Sequence, residues 1–127
     1  MSDQGVKHKT PSIDLGESGL TPADMNIREL TGPERAATLT PNSASGYVIP
    51  YYDIFGKALA HYRVKLLSGS SDDIKYRQPK NSPTHVYFPR AFLECAKLYQ
   101  QQRNVIFITE GEKKAALACK LGIPCIG

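Results

Sequence analysis

Two glutamates, Glu110 and Glu112, follow an apolar run and precede a stretch of strong helix formers. The run, residues 105–108, is rich in β-branched side chains, which is typical of a strand buried on both faces of a parallel sheet. Ligands of open α/β sheets bind at the carboxyl ends of strands, where both carboxylates would lie. Carboxylate oxygens suit Mg²⁺, which proteins hold together with substrate phosphates. The turn therefore predicts metal and phosphate handling, unless both glutamates only favour the positive end of the helix dipole.

A helix is predicted to begin at Glu112, and glycine at position 111 permits the tight turn before it. The apolar residues 123–127 then indicate a second parallel strand, which completes a right-handed βαβ unit. Lys113 and Lys114 lie in the first helical turn, where positive charge opposes the helix dipole. Two interpretations are open: the lysines bind phosphate, or they are exposed side chains that the helix tolerates.

Basic and aromatic side chains are interleaved between residues 51 and 90. The basic and imidazole set is Lys57, His61, Arg63, Lys65, Lys75, Arg77, Lys80 and Arg90, and the aromatic set is Tyr51, Tyr52, Tyr62, Tyr76, Tyr87 and Phe88. Cations that follow phosphates and rings that stack on bases are the chemistry of a single-stranded nucleic acid groove. Strand periodicity places Arg63 and Lys65 on one face, which could meet phosphate or water. The alternative is a hairpin whose aromatics pack the core and whose charges form its wet face.

Several motifs also occur in a fixed order over residues 46–127, roughly two thirds of the chain. They are Gly46-Tyr47-Val48-Ile49-Pro50-Tyr51-Tyr52-Asp53, Gly56-Lys57, His61-Tyr62-Arg63-Val64, Lys75-Tyr76, Asn81-Ser82-Pro83, the pair Tyr87 and Phe88, and Glu110-Gly111-Glu112-Lys113-Lys114. Together they resemble the N-terminal part of bacterial-type DNA primases, with the last motif similar to the first motif of the Toprim domain. The resemblance is closer to primase-like Toprim domain proteins of plasmids and prophages.

The resemblance implies a function in DNA replication. Glu110 would be the catalytic acid or base of Mg²⁺-dependent nucleotidyl transfer, which makes an RNA primer, and Glu110 and Glu112 would hold the metal. Lys75 and Tyr76 would contact nucleic acid or nucleotide phosphate. Further residues of the nucleic-acid or nucleotide site are expected to be Arg63, Lys65, Lys113 and Lys114. Single-stranded DNA and nucleoside triphosphates are the expected partners, with a helicase domain or protein as a further one.

The chain departs from the Toprim pattern in one respect. A Toprim site also uses an Asp-x-Asp pair on a later strand, and this sequence reaches Gly127 without such a strand. Asp72 and Asp73, in a Ser/Gly-rich segment, have the character of a solvated turn. We therefore expect a fragment of a longer protein that is inactive alone. Two alternatives stay open: a non-catalytic nucleic-acid-binding module, and an α/β interaction domain of a mobile element.

The predicted fold class is α/β, in which a hairpin region leads into the first βαβ of a Toprim-like parallel sheet. Residues 1–45 are predicted to be a largely flexible leader, although Thr21-Pro22 and Thr31-Gly32-Pro33 each have the form of a helix start. Residues 46–104 would hold a hairpin, about 47–53 with 59–67, then a basic loop and a helix over about 90–102. Its predicted buried face is Phe92, Cys95, Ala96 and Tyr99. Residues 105–127 begin the βαβ unit.

Composition supports a small cytoplasmic domain. The chain has 127 residues, 41% of them hydrophobic, and a net charge of +4, which favours a polyanionic partner. An odd count of three cysteines without short paired spacing argues against a zinc ribbon and against a disulfide framework, so the thiols are expected to be small core residues. No apolar run has the length of a membrane span, and the N-terminus lacks the build of a signal peptide.

Overall fold

The chain forms both helices and strands in a computed structural model that describes residues 9–69, 75–100 and 105–127. The elements are α1 (Pro11–Gly16), α2 (Pro22–Met25), β1 (Arg28–Glu29), α3 (Gly32–Ala37), β2 (Ser45–Tyr52), β3 (Ala58–Ser68), β4 (Tyr76–Arg77), α4 (Phe92–Gln100), β5 (Phe107–Ile108), α5 (Glu112–Lys120) and β6 (Cys125–Ile126). One antiparallel sheet has the order β1-β2-β3-β4, and β5 and β6 form a parallel pair. The predicted α/β class is confirmed. The predicted turn at Asp72 and Asp73 lies outside the described residues.

The hairpin of β2 and β3 is the centre of the larger sheet. Tyr47 lies opposite Lys65 and Ile49 lies opposite Arg63, which confirms the predicted pairing of these segments. The connecting turn is held by Asp53, whose Oδ1 accepts hydrogen bonds from the backbone N–H groups of residues 55 and 57, both at 2.9 Å. Because side chains alternate along a strand, Tyr47 and Tyr51 of β2 and Arg63 and Lys65 of β3 lie on one face.

Both faces of this sheet are covered. One face packs Val48, Val64 and Leu66 against Ala44. The other face carries the main core, in which tyrosines and Ile49 of β2 meet apolar residues of α1, α5 and the segment between α1 and β1. That core consists of Leu15, Leu20, Met25, Tyr47, Ile49, Tyr51, Tyr87, Ala115, Ala116 and Cys125. The face that bears Arg63 and Lys65 is therefore the inner face of the protein.

The segment before the hairpin is structured over residues 9–45, and this corrects the expectation of a largely flexible leader. Both predicted helix starts are confirmed: Thr21 and Thr31 are the N-caps of α2 and α3. Leu15, Leu20 and Met25 are 2% exposed or less and enter the main core. Their spacing of five residues matches neither helical nor strand periodicity, so the apolar pattern gave no signal even though each side chain is buried.

The βαβ unit is present, with β5 and β6 in parallel register: Phe107 lies opposite Cys125. Gly111 has a φ of 85° and is the N-cap of α5, so the predicted glycine turn and the helix start at Glu112 are confirmed. On the other side of β6, Tyr87 and Gly127 exchange two backbone hydrogen bonds of 2.9 Å. These bonds tie the segment after the larger sheet to the end of the βαβ unit.

The prediction that residues 105–108 are a strand buried on both faces is wrong. Val105, Ile106, Phe107 and Ile108 are 47%, 54%, 46% and 79% exposed. Among the described residues β5 pairs only with β6, and no helix covers it enough to bury its side chains. An uninterrupted apolar run indicates burial only where neighbouring strands and helices supply the cover.

The helix α4 confirms the predicted segment over residues 92–100, with Phe92 and Cys95 buried and Ala96 and Tyr99 half-buried. The rest of the predicted helix, beyond residue 100, lies outside the described residues. All three cysteines are free and buried, as expected for small core residues. Burial raises the pKa of the Cys119 thiol to about 11, which makes it an inert thiol at neutral pH. No helix within the described residues combines the length and apolar character needed to cross a membrane.

Candidate nucleic-acid interface

Glu112, the first residue of α5, turns its carboxylate into the sheet and is only 2% exposed. Its Oε2 accepts a hydrogen bond of 2.8 Å from the Tyr51 hydroxyl and one of 3.0 Å from Arg63 Nη1. Burial, together with the nearby Glu112 charge, raises the pKa of Tyr51, so the hydroxyl keeps its proton and remains a donor. The negative charge of the Glu112 carboxylate is therefore balanced by Arg63, and the Tyr51 hydroxyl supplies a second hydrogen bond to it.

Asp14 of α1 is a second buried carboxylate, also 2% exposed. It accepts a hydrogen bond of 2.7 Å from the Tyr47 hydroxyl and two, of 2.8 and 2.7 Å, from Lys65 Nζ. Lys113 Nζ lies 3.4 Å from Oδ2, and Lys9 Nζ lies 3.6 Å from Oδ1. Burial alone would raise the pKa of Asp14, but the hydrogen bonds from Lys65 and Tyr47 and the charges of Lys65 and Lys113 outweigh it and lower the pKa to about 2.

The two carboxylates are bound in the same way, each by a tyrosine of β2 and a cation of β3. Arg63 and Lys65 are two residues apart on one strand, so their side chains leave the same face side by side. The prediction that they share a face is confirmed. That face was expected to meet phosphate or water, whereas in the structure both cations meet buried carboxylates contributed by α1 and α5.

Tyr76 joins the two cations. It lies opposite Lys65 in β4, and its ring centre is 4.9 Å from the Arg63 guanidinium carbon and 5.7 Å from Lys65 Nζ. Both distances are within the range of cation–π attraction. The Tyr76 side chain is half-buried, so one part of it packs against the cations while another part remains at the surface.

Lys75 is exposed and lines a small cavity of about 100 Å³ together with Lys9, Asp14 and Lys65. We call Lys9, Lys65, Lys75 and Lys113 the lysine cluster. Three of its ammonium groups, those of Lys9, Lys65 and Lys113, lie within 3.6 Å of Asp14, and Lys75 lines the same cavity. Lys9 also pairs with Glu17 at 2.7 Å, so among the described residues four lysines face two carboxylates here. An excess of cations beside a half-exposed aromatic ring can hold a phosphate backbone and stack a base.

Glu110 and Glu112, the two residues expected to hold Mg²⁺, differ from each other in their surroundings. Glu110 is exposed and makes no ion pair within the part of the chain that the structure describes, whereas Glu112 is bound by Arg63 and Tyr51. Among residues 9–69, 75–100 and 105–127, no group of three or more histidine, cysteine, aspartate or glutamate side chains could hold a metal ion. Glu112 does not fit the role of a free ligand, and a Mg²⁺ at Glu110 stays a prediction that requires further ligands.

Lys113 and Lys114, adjacent in α5, have different environments. Lys113 is drawn toward Asp14, which accounts for a cation in the first turn of a helix, while Lys114 is exposed. Sequence reasoning missed Asp14 altogether, since its partner Lys65 is distant along the chain and only the fold brings the two together. It also missed the roles of Tyr47 and Tyr51, although their spacing of four residues on a strand does place them on one face.

Two histidines pack beside Tyr51, and His61 lies on the same face of β3 as Arg63. His61 and His85 stack with ring centres 4.0 Å apart, and His61 meets Tyr51 edge to face at 4.6 Å. Burial, followed by the charges of His85 and Arg63, lowers the pKa of His61 and keeps it neutral at pH 7. His85 is therefore a half-buried packing residue.

No protein-family model matches the chain, and no curated protein or solved structure is significantly similar to it. The fold and the side chains define a mixed α/β protein. Its distinguishing feature is a sheet face on which tyrosines and cations surround two buried carboxylates. A function for this face must be inferred from its chemistry.

Proposed function

We propose that this chain binds single-stranded nucleic acid through the lysine cluster and Tyr76, as part of a primase-like Toprim replication protein. In the parent protein, single-stranded DNA and nucleoside triphosphates would be the substrates of Mg²⁺-dependent RNA primer synthesis. Nucleic-acid binding is the part of this proposal that the geometry supports most directly.

One observation carries the proposal. Lys75, Tyr76, Arg63, Lys65 and Lys113 were singled out from separate positions in the sequence, and they lie around the same two carboxylates in the structure. Convergence of cations on a ring that is partly open to solvent is the arrangement that phosphate contacts and base stacking require.

Replacement of Lys75 by alanine tests this function. Because Lys75 is exposed, its removal should leave the fold intact and weaken binding of a fluorescein-labelled oligothymidine by roughly three- to tenfold at low salt. The slope of log affinity against log salt should fall by about one, as expected for one lost phosphate contact. Fluorescence anisotropy over a salt series measures both quantities.

Lys97→Ala is the matched control, since Lys97 is an exposed lysine of α4 outside the lysine cluster. It should change the affinity and the salt slope much less than Lys75→Ala does. Equal effects of the two substitutions would show that only the net charge of the protein matters and would contradict a defined site. Absence of binding by the unmodified chain at low salt would refute the proposed function itself.

The catalytic part of the proposal rests on Glu110, whose exposed carboxylate lies in the turn between β5 and α5. It is accessible to a metal ion and a nucleotide, whereas Glu112 is not. Glu110→Ala should leave oligonucleotide binding unchanged or strengthen it, because it removes a negative charge from a surface that would carry phosphate.

A second candidate function, an α/β interaction domain, is favoured by the exposed apolar residues 105–108 of the β5 region. An exposed apolar edge strand is a template for pairing with another chain. This candidate predicts association that does not weaken as salt is raised and no affinity for oligonucleotides, so the same salt series distinguishes the two functions.

A further inference from the structure

The helix α1 carries a carboxylate into the centre of the lysine cluster. Lys65 and Lys113, both largely buried, reach Asp14 at 2.7 and 3.4 Å. Asp14 oxygens thus occupy the point on which two ammonium groups converge, with the Tyr47 hydroxyl as a third donor. A set of donors directed at an anionic oxygen would serve a phosphate group as well as a carboxylate.

We infer that Asp14 stands where a backbone phosphate of the bound nucleic acid lies, so that α1 competes with the ligand and must move away for full binding. This inference rests on the proposed nucleic-acid-binding function and adds autoinhibition to it. Release of α1 takes Lys9 with it, because Lys9 directly precedes the N-cap Thr10 and pairs with the C-cap Glu17. It frees Lys65 and Lys113 for phosphate, while Lys75 and Tyr76 lie after β3 in the chain and remain in place.

The attachment of α1 is limited enough for such a movement. The helix has six residues, and its N-cap is Thr10, whose side chain accepts a hydrogen bond of 3.2 Å from the Ile13 N–H. On its inner side Asp14 and Leu15 are buried, whereas Ile13 is 52% exposed. A helix this short is not stable by itself, so α1 persists only while these few contacts hold it on the sheet.

The competition has a quantitative consequence. If the form with α1 released is the one that binds fully, the apparent Kd equals the intrinsic Kd divided by the released fraction. A substitution that weakens α1 without touching the lysine cluster should then tighten binding. Thr10→Ala is such a substitution. Loss of the N-cap side chain should shift the equilibrium between docked and released α1 by about fivefold, and the substitution alters no charge.

Thr31→Ala is the matched control, since Thr31 caps α3 in the same way, accepting from the Glu34 N–H at 3.3 Å. No residue of α3 lines the cavity over Asp14. We expect fluorescein-labelled oligothymidine to bind Thr10→Ala about three- to fivefold more tightly than the unmodified chain and to bind Thr31→Ala as the unmodified chain does. Equal affinity of all three proteins would overturn the inference and leave the proposed function standing.

Hydrogen exchange gives a second readout that does not depend on affinity. The Asp14 N–H donates to Thr10 O at 2.9 Å and the Glu17 N–H donates to Ile13 O at 3.0 Å, so both amides report on α1. Saturating oligothymidine should accelerate their exchange, because binding and helix release are linked reciprocally. Slower exchange in the complex would show that α1 stays in place and would overturn the inference. If no variant binds the oligonucleotide, the proposed function fails, and the inference fails with it.

Discussion

Replacement of Glu112 by alanine is expected to lower the free energy of unfolding by about 2 to 3 kcal/mol. The substitution leaves the Tyr51 hydroxyl without its acceptor in the core and Arg63 without its counter-ion. Removal of one partner from a buried ion pair is costly because the other charge stays desolvated. The Arg63 side chain is 30% exposed, however, and can regain water, which lowers the cost below that of breaking a fully buried pair.

Urea denaturation measures this difference, and Glu110→Ala is its control within the same motif. Glu110 is exposed, so its removal should change the free energy of unfolding by less than about 0.5 kcal/mol. Glu112→Gln should fall between the two, since the amide keeps an acceptor oxygen but loses the charge. A stability loss on removing Glu110 that equals the loss at Glu112 would contradict the assignment of separate roles to these residues.

Glu110 and Glu112 have different roles although they belong to the same motif. Sequence reasoning treated both glutamates as ligands of one metal ion. The structure separates them because the chain turns at Gly111, whose φ is 85°, as it enters α5. Glu110 faces solvent, while Glu112 enters the helix and turns toward the sheet. Glu112 therefore begins α5 and acts as the counter-ion of Arg63.

Local features of this fold follow from the sequence. Thr21 and Thr31 predict helix starts, Gly111 predicts a turn, and the alternation around Val64 predicts which side chains share a strand face. These features depend on neighbours within a few residues, and short-range sterics and hydrogen bonding decide them.

Burial of each face depends instead on segments that are distant in the chain. Alternation shows that Arg63 and Lys65 lie together, but it does not show that α1 and α5 cover them. The covering carboxylate of Asp14 lies 51 residues before Lys65, and nothing in either neighbourhood signals the pairing. The predicted burial of residues 105–108 was wrong for the same reason, since burial of a strand depends on which other strands and helices pack against it.

Acidification is expected to remove about 2 kcal/mol of stability through Asp14. The pKa of Asp14 is lowered from 3.8 to about 2 in the folded protein. A group whose pKa is lower when folded binds fewer protons in the native state, so its contribution is present above the unfolded pKa and is lost as pH falls through the folded pKa. The free energy of unfolding should therefore decline between about pH 5 and pH 2.

Urea denaturation of the unmodified chain and of Asp14→Asn across this pH range isolates the contribution of this one carboxylate. The variant should be less stable at pH 6, because Lys65 and Lys113 lose their counter-ion, and the two curves should converge toward pH 2 as Asp14 becomes protonated. Asp24 also has a lowered pKa through Lys120, but its side chain is 26% exposed, so Asp24→Asn should remove a smaller part of the pH dependence. Parallel curves for the unmodified chain and Asp14→Asn would show that folding does not shift the pKa of Asp14 and would contradict its tight pairing with the lysine cluster.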